Sequence, residues 1–296
     1  MRIFITGATG LIGRRLVADR LERGDEVIAL TRSSGKSPLF GSNDASDRLH
    51  ILCGDPSKEG AWQAQVDGCD VVVNLAGAGV ADRRWTSAYK KLLIDSRIYS
   101  TRNVSAAIKM STRKPSVLVS SSAIGFYGET GATPTDEHAS PGADFLAQLC
   151  VKWEAEARNA ACEHTRVALM RLGVVLDPEG GALREMLKPF KFFIGGPMGS
   201  GRQSMSWIHW RDLIGMFDLA FTHESARGPI NVVAPKPISN LEFSRALGKA
   251  IHRPCWLPAP KFGLRIVLGE FAKTVTMSQC IIPEKAKESG YEFKHP

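Results

Sequence analysis

A glycine-rich segment near the N-terminus, GATGLIG at residues 7–13, has the residue types and spacing of a phosphate-binding loop. It follows a short apolar run and opens a stretch of helical period. The free N–H groups and the dipole of a helix N-terminus favour an anion such as a diphosphate, and glycines let that anion approach because they lack a Cβ. Any tight strand-to-helix turn can use glycine, so the flanking strand and helix carry the argument. We therefore predict a dinucleotide site formed by Gly7, Thr9, Gly10, Leu11, Ile12 and Gly13.

The end of the second apolar run, EVIALTRSSGK, indicates which dinucleotide binds. An enzyme that uses NAD usually places an acidic residue here for the ribose 2′-hydroxyl, whereas a 2′-phosphate requires a cation. Thr31 and Arg32 occupy this place, and Ser33, Ser34 and Lys36 follow them. Since a guanidinium offers a planar fork of donors to phosphate oxygens, the sequence favours NADP(H) over NAD. The alternative is a surface arginine on a mobile loop.

The loop needs a sheet to position it, and the first half of the chain supplies the pattern of one. Short apolar runs alternate with segments of helical period, as expected for parallel strands that are buried on both faces. Such an alternation predicts a Rossmann-type doubly wound α/β sheet, whose ligand lies beyond the carboxyl ends of the strands. The runs are found at residues 2–6, 26–30, 49–53, 70–77, 116–121 and 166–176.

After about residue 177 this alternation stops, and glycine and proline become frequent. We predict a large NADP-binding domain at 1–177, to which 205–235 returns, and a smaller irregular substrate lobe at 178–296. In that lobe, the glycines of GGPMGSGRQ at 195–203 could present N–H groups to an anionic part of a small-molecule substrate. The alternative is a hairpin-like excursion in which Asp212 caps the following helix.

Composition narrows the class of protein. The 296 residues carry a net charge of +8, but no long run of Lys and Arg and no nucleic-acid motif accompanies it, so we expect no nucleic-acid partner. The apolar stretches are shorter than the about 18 residues of a membrane span, and no secretory signal is recognisable, so we expect no membrane association and a cytoplasmic protein. Six cysteines without a CxxC pair predict no metal site and free, mostly buried thiols. The oligomeric state and the identity of the substrate stay open.

Several motifs together resemble a known family. GATGLIG, NLAG at 74–77 and SSSAIGFYG at 120–128 are similar to the extended short-chain dehydrogenases/reductases of the epimerase and dehydratase type. The resemblance covers essentially the whole chain and includes the family's C-terminal domain of unknown role, which residues 240–296 resemble; a further helix is expected after the final GYEFKHP. It is closest to an atypical epimerase-like subfamily, through RRW at 83–85, DSR at 95–97, KWE at 152–154, GGPMGSGRQ and WIH at 207–209.

The resemblance implies further contacts with the cofactor. Ala76 and Gly77 should line it beyond the fourth strand, with Leu75 beside them. Asp55 matches an acidic residue that often approaches the adenine, although it could equally cap the next helix. The backbone of the segment 173–175, up to Val175, would meet the nicotinamide carboxamide.

The resemblance is weakest at the catalytic residues. Family members use a Ser that orients the substrate, a Tyr that acts as acid or base, and a Lys that lowers the pKa of the Tyr, the last two as YxxxK on one helix. Ser122 matches the Ser, but Phe145 and Leu149 occupy the positions of Tyr and Lys, and neither can transfer a proton. Lys152 is three residues further along and points away from that position. Arg97 occupies what is often an Asn position, from which its cation could reach the cofactor.

Two interpretations stay open. In the first, the protein is an oxidoreductase or epimerase-like enzyme, and Tyr127 beside Ser122 serves as acid or base, with the positive charge of Arg97 lowering its pKa. In the second, the protein is a catalytically silent NADP-binding sensor or regulatory partner, and Tyr127 is a packing residue. The presence of a full substrate lobe favours hydride transfer to or from a small polar substrate.

Overall fold

A seven-stranded parallel sheet forms the centre of the protein, a computed structural model of which describes residues 1–32, 40 and 46–296. The positions of Ser33, Ser34 and Lys36 lie outside the described residues. The strands of the sheet are β1 (Arg2–Thr6), β2 (Glu26–Thr31), β3 (Leu49–Cys53), β4 (Val71–Asn74), β5 (Val117–Ala123), β6 (Arg166–Leu172) and β10 (Gly228–Val232). Their order in the sheet is β3-β2-β1-β4-β5-β6-β10, which confirms the predicted Rossmann-type doubly wound sheet.

Helices cover both faces of this sheet, as the continuous apolar runs predict. Successive residues of a strand point to opposite faces, so Ile3 and Ile5 of β1 belong to one apolar cluster and Phe4 to the other. Helices α1 (Leu11–Glu22) and α5 (Trp210–Thr222) pack on the first face. Helices α2 (Ser87–Met110) and α3 (Phe145–Arg158) pack on the second.

The sixth apolar run is two strands rather than one. β6 ends at Leu172, and β7 (Val174–Leu176) leaves the sheet to pair with β9 (Trp207–His209). The break is at Gly173, where a Cβ would lie 2.7 Å from Cγ1 of Val233. The chain therefore passes Val233 too closely for any side chain at residue 173, and β10 takes the free edge of β6.

The rest of the chain is less regular. Two short strands, β8 (Ser204–Met205) and β11 (Ile238–Ser239), pair with each other. The domain boundaries at 177 and 178 stay a prediction. Among the described residues, no helix is both long and apolar enough to cross a membrane. The remaining α-helices of the described residues are α4 (Gly181–Lys191), α6 (Asn240–Ala250), α7 (Lys261–Leu268), α8 (Phe271–Val275) and α9 (Glu284–Glu288), and two 3₁₀ helices span Ala61–Val66 and Ile124–Tyr127.

All six cysteines lie in the described part of the chain and are free. The expectation that most are buried is wrong, because only Cys69 and Cys150 are buried, while Cys53 and Cys162 are exposed.

Candidate functional site

The strand order reverses between β1 and β4, and the loops after these two strands meet there. Gly7 has a φ of 68°, and a Cβ on it would lie 2.6 Å from the carbonyl carbon of Leu75. A Cβ on Gly13 would lie 2.4 Å from the carbonyl oxygen of Gly7. The glycines therefore fold the first loop tightly against the end of β4. The place is the topological switch point at which doubly wound sheets bind their ligands.

The N-terminus of α1 is free to bind an anion. No side chain caps it, Gly10 being the N-cap residue, and its first turn contains no acidic residue. The first N–H groups of any helix have no acceptor within the helix. Thr9, Leu11 and Ile12 lie half-buried around this end. The loop geometry thus fits the predicted diphosphate site.

The ends of β2 and β3 lie side by side at the predicted 2′-phosphate position. The amide of Gly54 donates a 2.8 Å hydrogen bond to the carbonyl of Thr31, a buried residue, and Arg32 is exposed. Asp55 accepts hydrogen bonds from the amide (2.9 Å) and the hydroxyl (2.7 Å) of Ser57. Burial acts to raise the pKa of Asp55, but the hydrogen bonds from Ser57 and the positive charges of Lys58 and Arg32 outweigh it, and the pKa is lowered. Asp55 therefore holds a turn at residues 55–57 and does not cap the next helix, whose N-cap residue is Gly60. Its contact with adenine stays a prediction.

A chain of buried hydrogen bonds fixes the end of β4. The Thr6 hydroxyl donates to Oδ1 of Asn74 (2.7 Å), and Nδ2 of Asn74 donates to the Thr101 hydroxyl (2.8 Å). The Trp153 indole also donates to Thr101 (2.9 Å), and the Ala76 amide donates to Thr6 (3.3 Å). β1, β4, α2 and α3 are thereby joined at one point. The sequence did not predict Thr6, Thr101 or the hydrogen bond of Trp153. Thr6 and Asn74 could have been noticed, because each is a polar residue at the end of an otherwise apolar strand, β1 and β4 respectively.

Arg97 lies beside this chain of hydrogen bonds. Its guanidinium carbon is 5.1 Å from the centre of the Trp153 ring, and a Cβ on Gly77 would lie 3.3 Å from it. Nη1 of Arg97 donates a 3.1 Å hydrogen bond to the carbonyl of Leu93. Burial lowers the pKa of Arg97. The structure thus brings Arg97 and Gly77 together. Val175 lies on β7 and packs against the apolar cluster that contains Ile3 and Ile5.

Ser122 and Tyr127 are parts of one buried hydrogen-bond network. The Ser122 hydroxyl donates to Oε1 of Glu154 (2.8 Å), and Nε and Nη2 of Arg171 donate to the two oxygens of the same carboxylate (2.8 and 3.0 Å). Nη1 of Arg171 donates to the Tyr127 hydroxyl (2.8 Å), which in turn donates to Oδ1 of Asn231 (2.6 Å). Both the donor and the acceptor capacity of the Tyr127 hydroxyl are therefore engaged.

The predicted effect of Arg97 on Tyr127 is wrong. The cation that contacts the phenol is Arg171, and Tyr127 is only 5% exposed. Burial raises the pKa of Tyr127 to about 12, because Arg171 and the hydrogen bonds offset only part of the desolvation. These contacts agree with the packing alternative for Tyr127. The catalytic roles of Ser122 and Tyr127 stay a prediction.

The positions of the missing YxxxK pair are filled by apolar packing. The Phe145 ring stacks edge-on against Trp85 at 5.2 Å, and Leu149 is buried beside Tyr89 and Leu93. Lys152 is exposed on the outer side of α3, in agreement with its predicted direction.

The WIH motif at 207–209 has a local structural role. Nδ1 of His209 accepts from the Arg211 amide (3.3 Å) and caps α5, so the cap is His209 and not Asp212. Asp212 instead accepts from the amides of Lys294 (2.7 Å) and His295 (2.9 Å) and holds the C-terminal segment. The ligand atoms of His209, Asp212 and His295 lie within 4.8 Å of one another, which is close enough for a metal ion.

Two protein-family models match the chain. The model of the NAD dependent epimerase/dehydratase family matches residues 3–234. A model described as a domain of unknown function, DUF1731, matches residues 259–296.

Proteins of similar sequence match this chain over almost its full length. The epimerase family protein SDR39U1 homolog of Arabidopsis thaliana, described as chloroplastic, is 43% identical over 100% of this chain and 84% of its own length. An epimerase family protein of Mycobacterium bovis is 38% identical over 99% of this chain and 93% of its own length.

A solved structure with NADPH has the same fold. The human epimerase family protein SDR39U1 superposes with a TM-score of 0.89 and 32% identity, over 100% of this chain and 96% of that chain. A UDP-glucuronic acid 4-epimerase of Bacillus cereus, with a TM-score of 0.80 and 17% identity over 100% of this chain and 95% of that chain, shares the fold.

Proposed function

Because the chain belongs to the NAD dependent epimerase/dehydratase family, we propose that it is an NADP(H)-binding oxidoreductase or epimerase-like enzyme. It transfers hydride to or from a small polar substrate held against the second lobe. The observation that carries the proposal is the uncapped N-terminus of α1, closed against β4 by Gly7, with Arg32 exposed at the end of the neighbouring strand.

The residues around the switch point would hold the cofactor as follows. The amides at the start of α1 would bind the diphosphate, since they lack other acceptors. Arg32 would bind the 2′-phosphate, beside Thr31. Ala76 and Gly77 would line the cofactor beyond β4, and the backbone at Val175 would contact the nicotinamide end. When bound, the nicotinamide supplies the position that accepts or releases hydride.

The human structure supports the choice of NADPH, because a relative with the same fold over the whole chain binds that cofactor. The cytoplasm stays the predicted compartment.

One observation favours a second candidate function, a catalytically silent NADP-binding sensor or regulatory partner. Phe145 and Leu149 provide no proton-transfer group on α3, and Ser122 and Tyr127 are buried in a satisfied network. In this case the protein binds NADP(H) without turnover.

Titration of the protein with NADPH and NADH, followed by nicotinamide fluorescence, tests the shared part of both candidates. We expect NADPH to bind at least about tenfold more tightly, because a charge-assisted contact to the 2′-phosphate is lost with NADH. Absence of NADPH binding contradicts both candidates. A panel of carbonyl compounds and nucleotide sugars separates them: consumption of NADPH supports the enzyme, and its absence across the panel supports the silent protein.

A further inference from the structure

We propose that His209, Asp212 and His295 form a binding site for one divalent transition-metal ion, with Zn²⁺ as the first candidate. The ion would tie the C-terminal segment of the chain to the start of α5. This inference goes beyond the proposed function, because neither NADP(H) binding nor hydride transfer needs the ion. It also departs from the prediction of no metal site, which rests on the spacing of the cysteines.

The fold brings the three side chains to one place. His209 is the N-cap residue of α5, and Asp212 lies in the first turn of that helix. His295 is 83 residues beyond Asp212 in the chain, and its amide donates a 2.9 Å hydrogen bond to Oδ2 of Asp212. This bond brings the two imidazoles together, with ring centres 3.8 Å apart. The site therefore consists of the start of one helix and a segment from the other end of the sequence.

The distances fit a metal site after a small adjustment. The ligand atoms of the three residues lie within 4.8 Å of one another. A single point can therefore lie within about 2.8 Å of all three atoms, whereas Zn²⁺ binds His and Asp at about 2.0–2.2 Å. A shift of less than about 1 Å at each side chain would close this difference. Both histidines are only half-buried, so their imidazoles can make that shift and an ion can reach them.

The types of ligand also favour a transition metal. Imidazole nitrogens suit Zn²⁺, Cu²⁺ and Ni²⁺, whereas Mg²⁺ and Ca²⁺ prefer oxygen ligands. Two histidines and one carboxylate are a set that Zn²⁺ uses with water in the remaining position. We therefore expect an open coordination sphere of three protein ligands and at least one water molecule.

The charge of Asp212 is the second argument for a cation. Asp212 is 0% exposed. Its hydrogen-bond donors in the described part of the chain are the amides of Lys294 (2.7 Å) and His295 and the hydroxyl of Tyr291 (3.4 Å), and no Lys or Arg side chain is among them. By contrast, the equally buried Asp177 is paired with Arg15.

The N-terminus of α5 supplies only a partial positive charge to Asp212. A buried carboxylate without a full counter-charge is costly, and a divalent cation would offset that cost. The carboxylate has about four lone-pair positions, so its three donors leave one for a metal ion. The two amides would then orient the ligand, as hydrogen-bond partners of metal ligands commonly do.

Metal binding would replace one contact of His209. Nδ1 of His209 accepts a hydrogen bond from the Arg211 amide at 3.3 Å. A neutral imidazole has one N–H and one lone pair, so its lone pair cannot serve both the amide and a metal ion. This hydrogen bond is longer than the usual range of about 2.7–3.2 Å, and its loss therefore costs little.

The experiment titrates Zn²⁺ by calorimetry into the full chain, prepared without an affinity tag. The variants are His295→Gln and His209→Gln. His223→Gln is the matched control, because His223 is an exposed histidine at the other end of α5, where it is the C-cap residue. Absorption spectra with Co²⁺ in place of Zn²⁺ identify the ligands, since thiolates such as those of the exposed Cys53 and Cys162 would add a charge-transfer band.

We expect the wild-type protein to bind one equivalent of Zn²⁺ and to give a Co²⁺ spectrum without thiolate bands. Loss of an outer-shell partner alone weakens metal binding about 10–100-fold, so loss of a ligand in His295→Gln or His209→Gln should weaken it at least about tenfold. His223→Gln should bind Zn²⁺ as the wild type does. Zn²⁺ should also raise the unfolding temperature of the wild type but not that of His295→Gln, because the ion binds the folded state.

The NADPH affinity of His295→Gln shows whether this variant is folded, and we expect it to stay within about twofold of wild type. Three results would overturn the inference: a wild-type protein that binds no Zn²⁺, an equal Zn²⁺ affinity in His295→Gln and wild type, and a Co²⁺ spectrum with thiolate bands. Failure of the wild-type protein to bind NADPH would instead refute the proposed function and leave the metal site standing.

Discussion

Gly7 and Leu75 lie so close that a Cβ on residue 7 would be 2.6 Å from the Leu75 carbonyl carbon. Gly7 also has a φ of 68°, a backbone conformation that residues with a Cβ rarely adopt. Gly7→Ala must therefore displace either the loop or the end of β4. We expect the variant to lose at least about tenfold in NADPH affinity, because a misplacement of the amides that face a phosphate weakens charge-assisted hydrogen bonds. Fluorescence titration with NADPH measures the effect.

Gly131→Ala is the matched control for this prediction. Gly131 has a similar φ of 64°, but a Cβ there would meet nothing within 4 Å. Its substitution should cost only the backbone strain, about 1–2 kcal/mol, and leave NADPH binding unchanged. If Gly7→Ala bound NADPH as the control does, the loop would not be the cofactor site.

Arg32 determines the preference for NADPH in the proposed function. Arg32→Gln should weaken NADPH binding about tenfold to hundredfold and leave NADH binding unchanged, since only the 2′-phosphate loses a cation. The control is Arg102→Gln, which removes an equal charge from an exposed ion pair with Glu156 on the α2–α3 surface and should change neither affinity. An equal loss for both nucleotides would show that Arg32 does not contact the 2′-phosphate.

The sheet and the glycine loop were accessible from the sequence because both depend on local patterns. Buried parallel strands appear as continuous apolar runs, and the loop follows directly from Gly7 to Gly13 between a strand and a helix. The split of the sixth run at Gly173 was not accessible, because it depends on the approach of Val233, sixty residues away in the chain. The seventh strand, β10, was not predicted either, because its pairing with β6 also joins segments that are far apart in the chain.

The buried network around Tyr127 shows the limit of motif reasoning. The motif SSSAIGFYG places Ser122 and Tyr127 near each other, but their partners come from distant segments: Arg171 is 44 residues from Tyr127, and Asn231 is 104 residues from it. Nothing near Tyr127 in the sequence indicates that Arg171 rather than Arg97 is its cation. The direction of its pKa shift could therefore only come from the fold.

Tyr127→Phe should act mainly on stability. It leaves Oδ1 of Asn231 and Nη1 of Arg171 without the phenol as partner in a buried site, and each such loss costs about 1–3 kcal/mol. We expect a lower free energy of unfolding in urea and an NADPH affinity within about twofold of wild type. Tyr99→Phe, at an exposed position on α2, is the control and should change neither quantity. Unchanged stability together with abolished turnover would instead establish Tyr127 as a catalytic acid or base.

The ion pair between Arg15 and Asp177 should make stability depend on pH. Asp177 is 1% exposed and accepts two hydrogen bonds of 2.9 Å from Arg15. Burial acts to raise the pKa of Asp177, but the hydrogen bonds and charge of Arg15, together with the hydrogen bond from the Glu179 amide, outweigh it, and the pKa is lowered. Because the folded-state pKa is then below the unfolded-state value of about 4, the pair stabilises the fold fully above that pH. The contribution is lost as the pH falls through the folded-state pKa.

Urea unfolding at pH 7 and at about pH 3 tests this dependence. At pH 7, Asp177→Asn should be less stable than wild type by about 2–3 kcal/mol, the value of a hydrogen-bonded charge pair, and the difference should shrink at the lower pH. Glu185→Gln is the control, since its pair with Lys188 is more than half exposed on both sides and contributes little. A difference between wild type and Asp177→Asn that is equal at both pH values would mean that Asp177 does not titrate in this range, and that the loss reflects packing around Arg15 instead of charge.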